Sequence, residues 1–245
     1  VKCIGDEGLS RLAEQISPSQ WLTVGGTTEI DHYVQELVLA PAFIDRAEAP
    51  VDRSDNALEK RVELHLHTKM SAMDGLTDLK EAVQLAAAWG HSAIAITDHG
   101  VVQAFPEAYE LGQKFGIKII YGMEGYLCEG SEMAELEKTC HIIILVRNQE
   151  GLRNLYHLVS ESHLFHFYRH PRLPRELIGK YRDGLLLGSA CESGELYQGI
   201  LAGLPESKLL EMASFYDFLE IQPLGNNAFL TREGQADEEQ LKEHN

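Results

Sequence analysis

From Arg61 onward the chain alternates short apolar runs with amphipathic ones, and this alternation constrains the fold more than any other feature. Strand-like runs are expected at 62–67, 93–97, 117–121, 125–128, 141–146, 184–187 and 218–222. Helix-like stretches separate many of them, at 76–89, 105–115, 148–163, 193–201 and 206–215. A wholly apolar run such as Ala93-Ile94-Ala95-Ile96 needs cover on both faces. A parallel sheet or a β/α barrel with helices packed outside provides it. The expected class is therefore α/β.

Ahead of this region the texture differs. Short β-rich runs at 21–28, 33–39 and 42–45, with the turn formers Gly25, Gly26, Asp31 and Pro41 near them, suit a small antiparallel barrel or meander. It is preceded by a helix expected at 7–16 and is too short to close a barrel alone. The polar stretch 48–60, with Pro50, Asp52, Arg53 and Asn56, reads as a linker. The expected organisation is thus 1–47 as part of a small β domain, 48–60 as linker, and 61–245 as the α/β domain.

Thirty-eight acidic residues against 21 basic ones leave a formal net charge of −17. A field of that sign repels phosphate backbones and argues against tight nonspecific DNA binding by this chain alone. Arg147, Arg153, Arg169, Arg172 and Arg175 form a modest basic cluster, read as an ion-paired face. Cys3, Cys128, Cys140 and Cys191 make no CxxC pair, which favours a reducing compartment. With no apolar run of 18 residues and no basic-then-apolar leader, a cytoplasmic location without membrane partners is expected. The start at Val1 and the polar end at 231–245 suggest a piece cut from something longer.

In a β/α barrel the chemically active groups gather where strands end. His65 and His67, two apart in an extended run, would turn both imidazoles to one face and Leu64 and Leu66 to the other. Asp74 and Gly75 follow in the next loop, where the glycine permits a tight turn near a ligand. The apolar second strand delivers Asp98 and His99, the third leads to Glu124 just past its end, His141 opens another, and Cys191 follows the run 184–187. Imidazoles, carboxylates and one thiol together suit zinc, manganese or iron. Taken singly, Cys191 reads equally as a small buried hydrophobe, His141 as a structural histidine and Asp74 as a turn residue. His157, His163, His166 and His170 read as helix face and surface, not as ligands.

His65-Leu66-His67-Thr68, Asp74-Gly75, Thr97-Asp98-His99 and Gly122-Met123-Glu124 resemble the ordered motifs of the PHP superfamily. More narrowly, Arg61 to Thr68, Gln103 to Tyr109 and Tyr181 to Cys191 are similar to the PHP domains of PolC-type replicative polymerases, over roughly 20–222. The resemblance implies a distorted (β/α)7 barrel around up to three divalent ions, zinc or manganese, preceded by the closing strands of an oligonucleotide-binding (OB) fold. Carried over, the ligands are His65, His67, Asp74, His99, Glu124, His141 and Cys191, with Asp98 behind them orienting a ligand or a bound water. It also implies, for the full-length protein, magnesium-dependent DNA-directed DNA synthesis with DNA, other polymerase domains and replisome subunits as partners.

The chain departs from the pattern in three places. A proofreading exonuclease is usually inserted after the segment matching Gly125 to Gly130, and here only Ser131 to Thr139 bridges that point. The last His-bearing motif is expected beyond Asn245, and the catalytic aspartates of the palm beyond that. A polymerase fragment is therefore the first expectation, a stand-alone metal-dependent phosphoesterase the second and a plain nucleic-acid-binding module the third.

Overall fold

The computed structural model describes residues 16–18, 20–32, 35–49, 54–130 and 138–244, so the helix expected at 7–16 lies almost wholly outside the described residues. The chain divides into two units, Val1–Ser54 and Asp55–Asn245. Of the expected linker, 50–53 lie outside the described residues. Asp55, by contrast, is held within the second unit by His91, whose Nε2 lies 2.9 Å from its carboxylate.

The first unit contains a β-hairpin of β1 (Leu22–Ile30) and β2 (Leu37–Arg46), antiparallel from Leu22↔Arg46 to Ile30↔Leu37. Two long strands therefore stand where three short runs were expected. The reason is a bulge between Gly25 and Gly26, opposite Pro41, where the register slips but pairing continues. Proline cannot donate to the ladder, and a Cβ on Gly26 would lie 2.1 Å from the Ala40 carbonyl oxygen.

In the second unit the described elements are α1 (Leu79–Ala88), β3 (Ala93–Ile96), α2 (Phe105–Phe115), β4 (Lys118–Cys128), β5 (Cys140–Val146) and α3 (Gln149–Leu164). They continue as β6 (Phe167–Tyr168), β7 (His170–Pro174), α4 (Arg175–Lys180), β8 (Leu185–Gly188), α5 (Glu195–Leu201), α6 (Glu206–Ala213), α7 (Ala228–Arg232) and α8 (Glu238–His244). Local chemistry sets several ends. The Asp78 carboxylate accepts from Glu81 N to start α1, Asn148 does the same from Gly151 N for α3, and Gly116 ends α2 at φ 69°.

The sheet runs β6-β7-β4-β5-β8, with β3 also paired to β4. It is mixed. The β3–β4 and β4–β7 pairs are parallel, but β4–β5 and β5–β8 are antiparallel, which corrects the parallel sheet expected from the alternation. The link 129–139 between β4 and β5 is shorter than the dozen or so residues that a parallel crossover requires. Strand β4 is continuous where two runs were expected, changing partner at Gly122 from β3 to β5.

Both faces of the sheet are covered. On β5, Ile142 and Ile144 pack with Met123, Leu127, Leu173 and Leu187 beneath Leu155 and Leu158 of α3. Ile143 and Leu145 turn the other way, toward Ala95 and Ala190. Because Glu124 pairs with Ile143 and Tyr126 with His141, those side chains share the Ile143 face.

Two extended segments flank the sheet without forming regular strands. Segment 62–67 lies along β3 through a Glu63↔Ile94 bridge and a Thr97 N to Leu66 O bond of 2.9 Å. There the Thr97 hydroxyl, rather than a backbone carbonyl, accepts from Leu66 N at 2.8 Å. Leu64 joins the Ala95 and Ile143 cluster while Leu66 joins Ile94 and Ile96, so the two leucines do not share one face as alternation predicted. Segment 218–222 lies along β8 through Phe218↔Gly188. The sheet curls far enough that both flanking segments line one cavity of about 700 Å³.

Candidate metal centre

One carboxylate organises the site. Glu124 stands in the middle of β4, not past the end of a strand as expected, and it is fully buried. Around it lie His67 Nε2 at 2.9 Å, His99 Nδ1 at 3.0 Å, His141 Nδ1 at 3.1 Å and His65 Nε2 at 3.3 Å. His65 and His67 come from the extended segment beside β3, His99 from the residues after β3, and His141 from the start of β5. Four imidazoles from three stretches of chain thus converge on one acid.

Asp74 approaches from the loop before α1, with Oδ2 2.9 Å from His67 Nδ1 and 3.4 Å from His99 Nε2. It therefore faces the ring nitrogens turned away from Glu124. Gly75 lets this loop close, because a Cβ there would sit 1.9 Å from the Thr68 carbonyl oxygen. The close approach is to backbone, not to a ligand. Cys191 Sγ lies at the margin, 3.7 Å from both Glu124 Oε1 and His141 Nδ1.

Among the described residues Asp98 makes no hydrogen bond to the rings. Its buried carboxylate accepts from Thr68 N at 2.6 Å, Thr68 Oγ1 at 2.9 Å and Ser71 Oγ at 2.7 Å. Ser71 Oγ in turn accepts from His99 N at 3.1 Å. Asp98 thereby ties the turn after His67 to the backbone of His99.

Charges in the site are strongly coupled. Burial works against the Glu124 anion, but His141, His65 and His67 outweigh it and hold the carboxyl well below the usual range. Burial also opposes the His65 cation, yet Glu124 and Glu220 raise its pKa to about 10. Glu124 and Asp74 raise His67 against the same penalty, whereas burial lowers His99. The His67 imidazole holds Asp74 below the ordinary carboxylate value, and burial pushes the Cys191 thiol up.

These donors fit a divalent cation. His65 Nε2 and His67 Nε2 meet at 3.0 Å, a contact that one proton can satisfy but two lone pairs without a cation cannot. Glu124 Oε2 and His99 Nδ1 are close, but both are buried without a well-directed hydrogen-bond partner among the described residues. Three overlapping triads have ligand atoms within 4.8 Å of one another: His65, His67 and Glu124; His67, Asp74 and His99; His99, Glu124 and His141.

Several residues of the site were not foreseen. Glu220 places its two oxygens 2.9 and 3.0 Å from His65 Nδ1. Its one trace in the sequence is an acid inside the apolar run 218–222. Tyr126 stacks on His99 at 5.7 Å and meets His141 edge-on at 5.5 Å. His170, read from the sequence as helix face or surface, opens β7 and stacks on Tyr126 at 4.5 Å. His163 Nε2 lies 2.9 Å from the Gly100 carbonyl oxygen and His157 stacks on Tyr181, so neither joins the centre. In the basic cluster, Arg175 pairs with Glu129 and Glu195, and Arg172 is buried.

A mixed α/β domain with histidines and acids gathered at one rim is the architecture that defines the class. Residues 63–222 match the PHP domain family, and the chain belongs to that family. Among similar proteins is the PolC-type DNA polymerase III of Clostridium perfringens, 27% identical over all of this chain and 31% of that protein. The PolC-type DNA polymerase III of Caldanaerobacter subterraneus is 26% identical over 98% of this chain and 31% of its own length. The chain thus spans about a third of the length of these relatives. The Clostridium alignment extends over 444 positions against 245 residues here, so that relative carries additional residues within the matched region. A solved structure described as a metal-dependent phosphoesterase from Bifidobacterium adolescentis aligns at 13% identity and TM-score 0.41, covering 71% of this chain and 83% of that one. Among the described residues no helix is long and apolar enough to cross a membrane.

Proposed function

We propose that this chain is the metal-binding PHP portion of a PolC-type replicative DNA polymerase. The observation that carries the metal reading is buried Glu124 ringed by four imidazole nitrogens at 2.9–3.3 Å. The likeness to two PolC-type polymerases along nearly the whole chain supports the polymerase reading. His65, His67, Asp74, His99, Glu124, His141 and Cys191 serve as ligands, and Asp98 braces the turn between His67 and Asp74. The mixture of imidazoles and carboxylates favours zinc or manganese, in up to three positions. Ions held there would neutralise a phosphate and acidify bound water.

On this reading the curled sheet is the larger part of a distorted (β/α)7 barrel, which 61–245 builds after a linker at 48–60. The hairpin β1–β2 belongs to an OB-like domain within 1–47. On this reading the additional residues of the Clostridium relative would accommodate an inserted exonuclease, bypassed here between Gly130 and Cys140. DNA, replisome subunits, magnesium-dependent nucleotidyl transfer and a cytoplasmic location belong to the whole polymerase. The coding sequence downstream tests this: a palm domain with catalytic aspartates is expected, and a stop codon shortly after Asn245 overturns it. Metal analysis tests the site. The chain should carry transition metal through gel filtration, whereas His67→Ala should release it; equal metal in both refutes the ligand set.

A further inference from the structure

The sheet is flanked by two segments far apart in sequence, and a polar side-chain contact joins them at the cavity. His65 Nδ1 meets both oxygens of Glu220, at 2.9 and 3.0 Å. The opposite edge of the same ring carries Nε2, which faces His67 Nε2 at 3.0 Å and Glu124 at 3.3 Å. Glu220 therefore lies behind His65, on the side away from the centre.

We propose that Glu220 is a positioning residue for the metal centre: its carboxylate accepts from His65 Nδ1 and fixes the ring so that Nε2, turned toward Glu124 and His67, is the nitrogen that coordinates a cation. The inference rests on the reading of this cluster as a metal site. A neutral imidazole has one N–H and one lone pair, and an ionised carboxylate only accepts. His65 stands between two such acceptors. If Glu220 were absent, Glu124 alone would draw the single proton to Nε2, the nitrogen a cation needs. With Glu220 present, the Nδ1 proton has its own partner and Nε2 is the nitrogen that coordinates. Carboxylates behind ligating histidines work in this way at other metal sites.

Glu220 is itself fixed in place. Its backbone N donates to Ser189 Oγ at 2.9 Å, and Gln222 Nε2 donates to its Oε1 at 3.0 Å. Segment 218–222 is pinned to β8 by the bonds of Asp217 N, at 2.8 Å, and Phe218 N, at 3.2 Å, to Leu187 O. Among the described residues no lysine or arginine makes an ion pair with Glu220, so His65 is its one charged partner there.

The test compares the 245-residue chain with Glu220→Ala and Glu220→Gln. Zinc chloride affinity is read by competition with a chromophoric chelator, and the His65 Nδ1–H resonance by nitrogen-15 NMR of the metal-free chain. Glu220→Ala should weaken zinc by about 10–100-fold and erase the protected ring proton. Glu220→Gln keeps a carbonyl acceptor and should restore the resonance and most of the affinity. Wild-type affinity in Glu220→Ala overturns the proposal, even if the variant melts at a lower temperature, because a purely structural contact would behave in that way. Equal zinc loss in both variants overturns it as well. Failure of the unmodified chain to bind zinc would instead sink the metal reading, and the metal-free resonance would still report on the Glu220 contact.

Discussion

Replacing Glu124 by glutamine removes one negative charge and almost no volume, so the metal-free chain isolates what the carboxylate does for the surrounding imidazoles. His65 is raised to about 10 from 6.5. At 1.36 kcal/mol per pKa unit this bounds its charge stabilisation at about 5 kcal/mol. Glu220 shares that stabilisation, so losing Glu124 alone should cost about 3 kcal/mol, the lower end for breaking a buried ion pair. The pH dependence follows from both partners. The histidine term is full below 6.5 and disappears as pH rises through about 10, because the folded state then holds its proton more tightly than the unfolded one. The depressed Glu124 term is full above 4.5 and is lost as pH falls toward its lowered folded value. The difference between Glu124→Gln and the parent should therefore peak between pH 4.5 and 6.5 and shrink on either side. Urea unfolding of the metal-free proteins, followed by circular dichroism from pH 5 to pH 9, measures it. Equal midpoints at pH 5.5, or a gap that widens toward pH 9, would refute the electrostatic account.

Two further outcomes follow from the same geometry. Metal binding must displace the proton from His65 Nε2, so calorimetry at pH 7 should show at least one proton released per chain and affinity rising with pH; heats independent of the buffer's ionisation enthalpy would contradict this. Asp98→Ala strands the donors of Thr68 and Ser71 and should cost about 3 kcal/mol in urea unfolding while weakening metal binding, since the turn after His67 loses its brace; an unchanged midpoint would show that the brace is dispensable.

Much of the site was legible because polar residues at the ends of apolar runs have no packing role. His65, His67, His99 and His141 stand out in this way, and the structure brings all four to Glu124. Three features were hidden. Gly122 reads as a break, yet β4 passes through it and changes partner, which places Glu124 inside a strand and buries it completely. The short hairpin β6–β7, with Pro171 and Pro174, lacks the length and pattern that mark a strand, so the place of His170 against Tyr126 could not be read. Glu220 meets His65 across 155 positions of sequence, and no local pattern encodes such a contact. Helix α2, by contrast, spans the residues expected for it, because Pro106 and Gly116 punctuate its two ends.

The central claim is that Glu124 and the imidazoles around it hold a cation, and anomalous diffraction from a zinc-soaked crystal of the chain tests it most directly. The account predicts an anomalous peak about 2.0–2.2 Å from a Glu124 oxygen and from at least two nitrogens among His65, His67, His99 and His141. A well-ordered cluster with no peak, or zinc bound only elsewhere on the acidic surface, would contradict it.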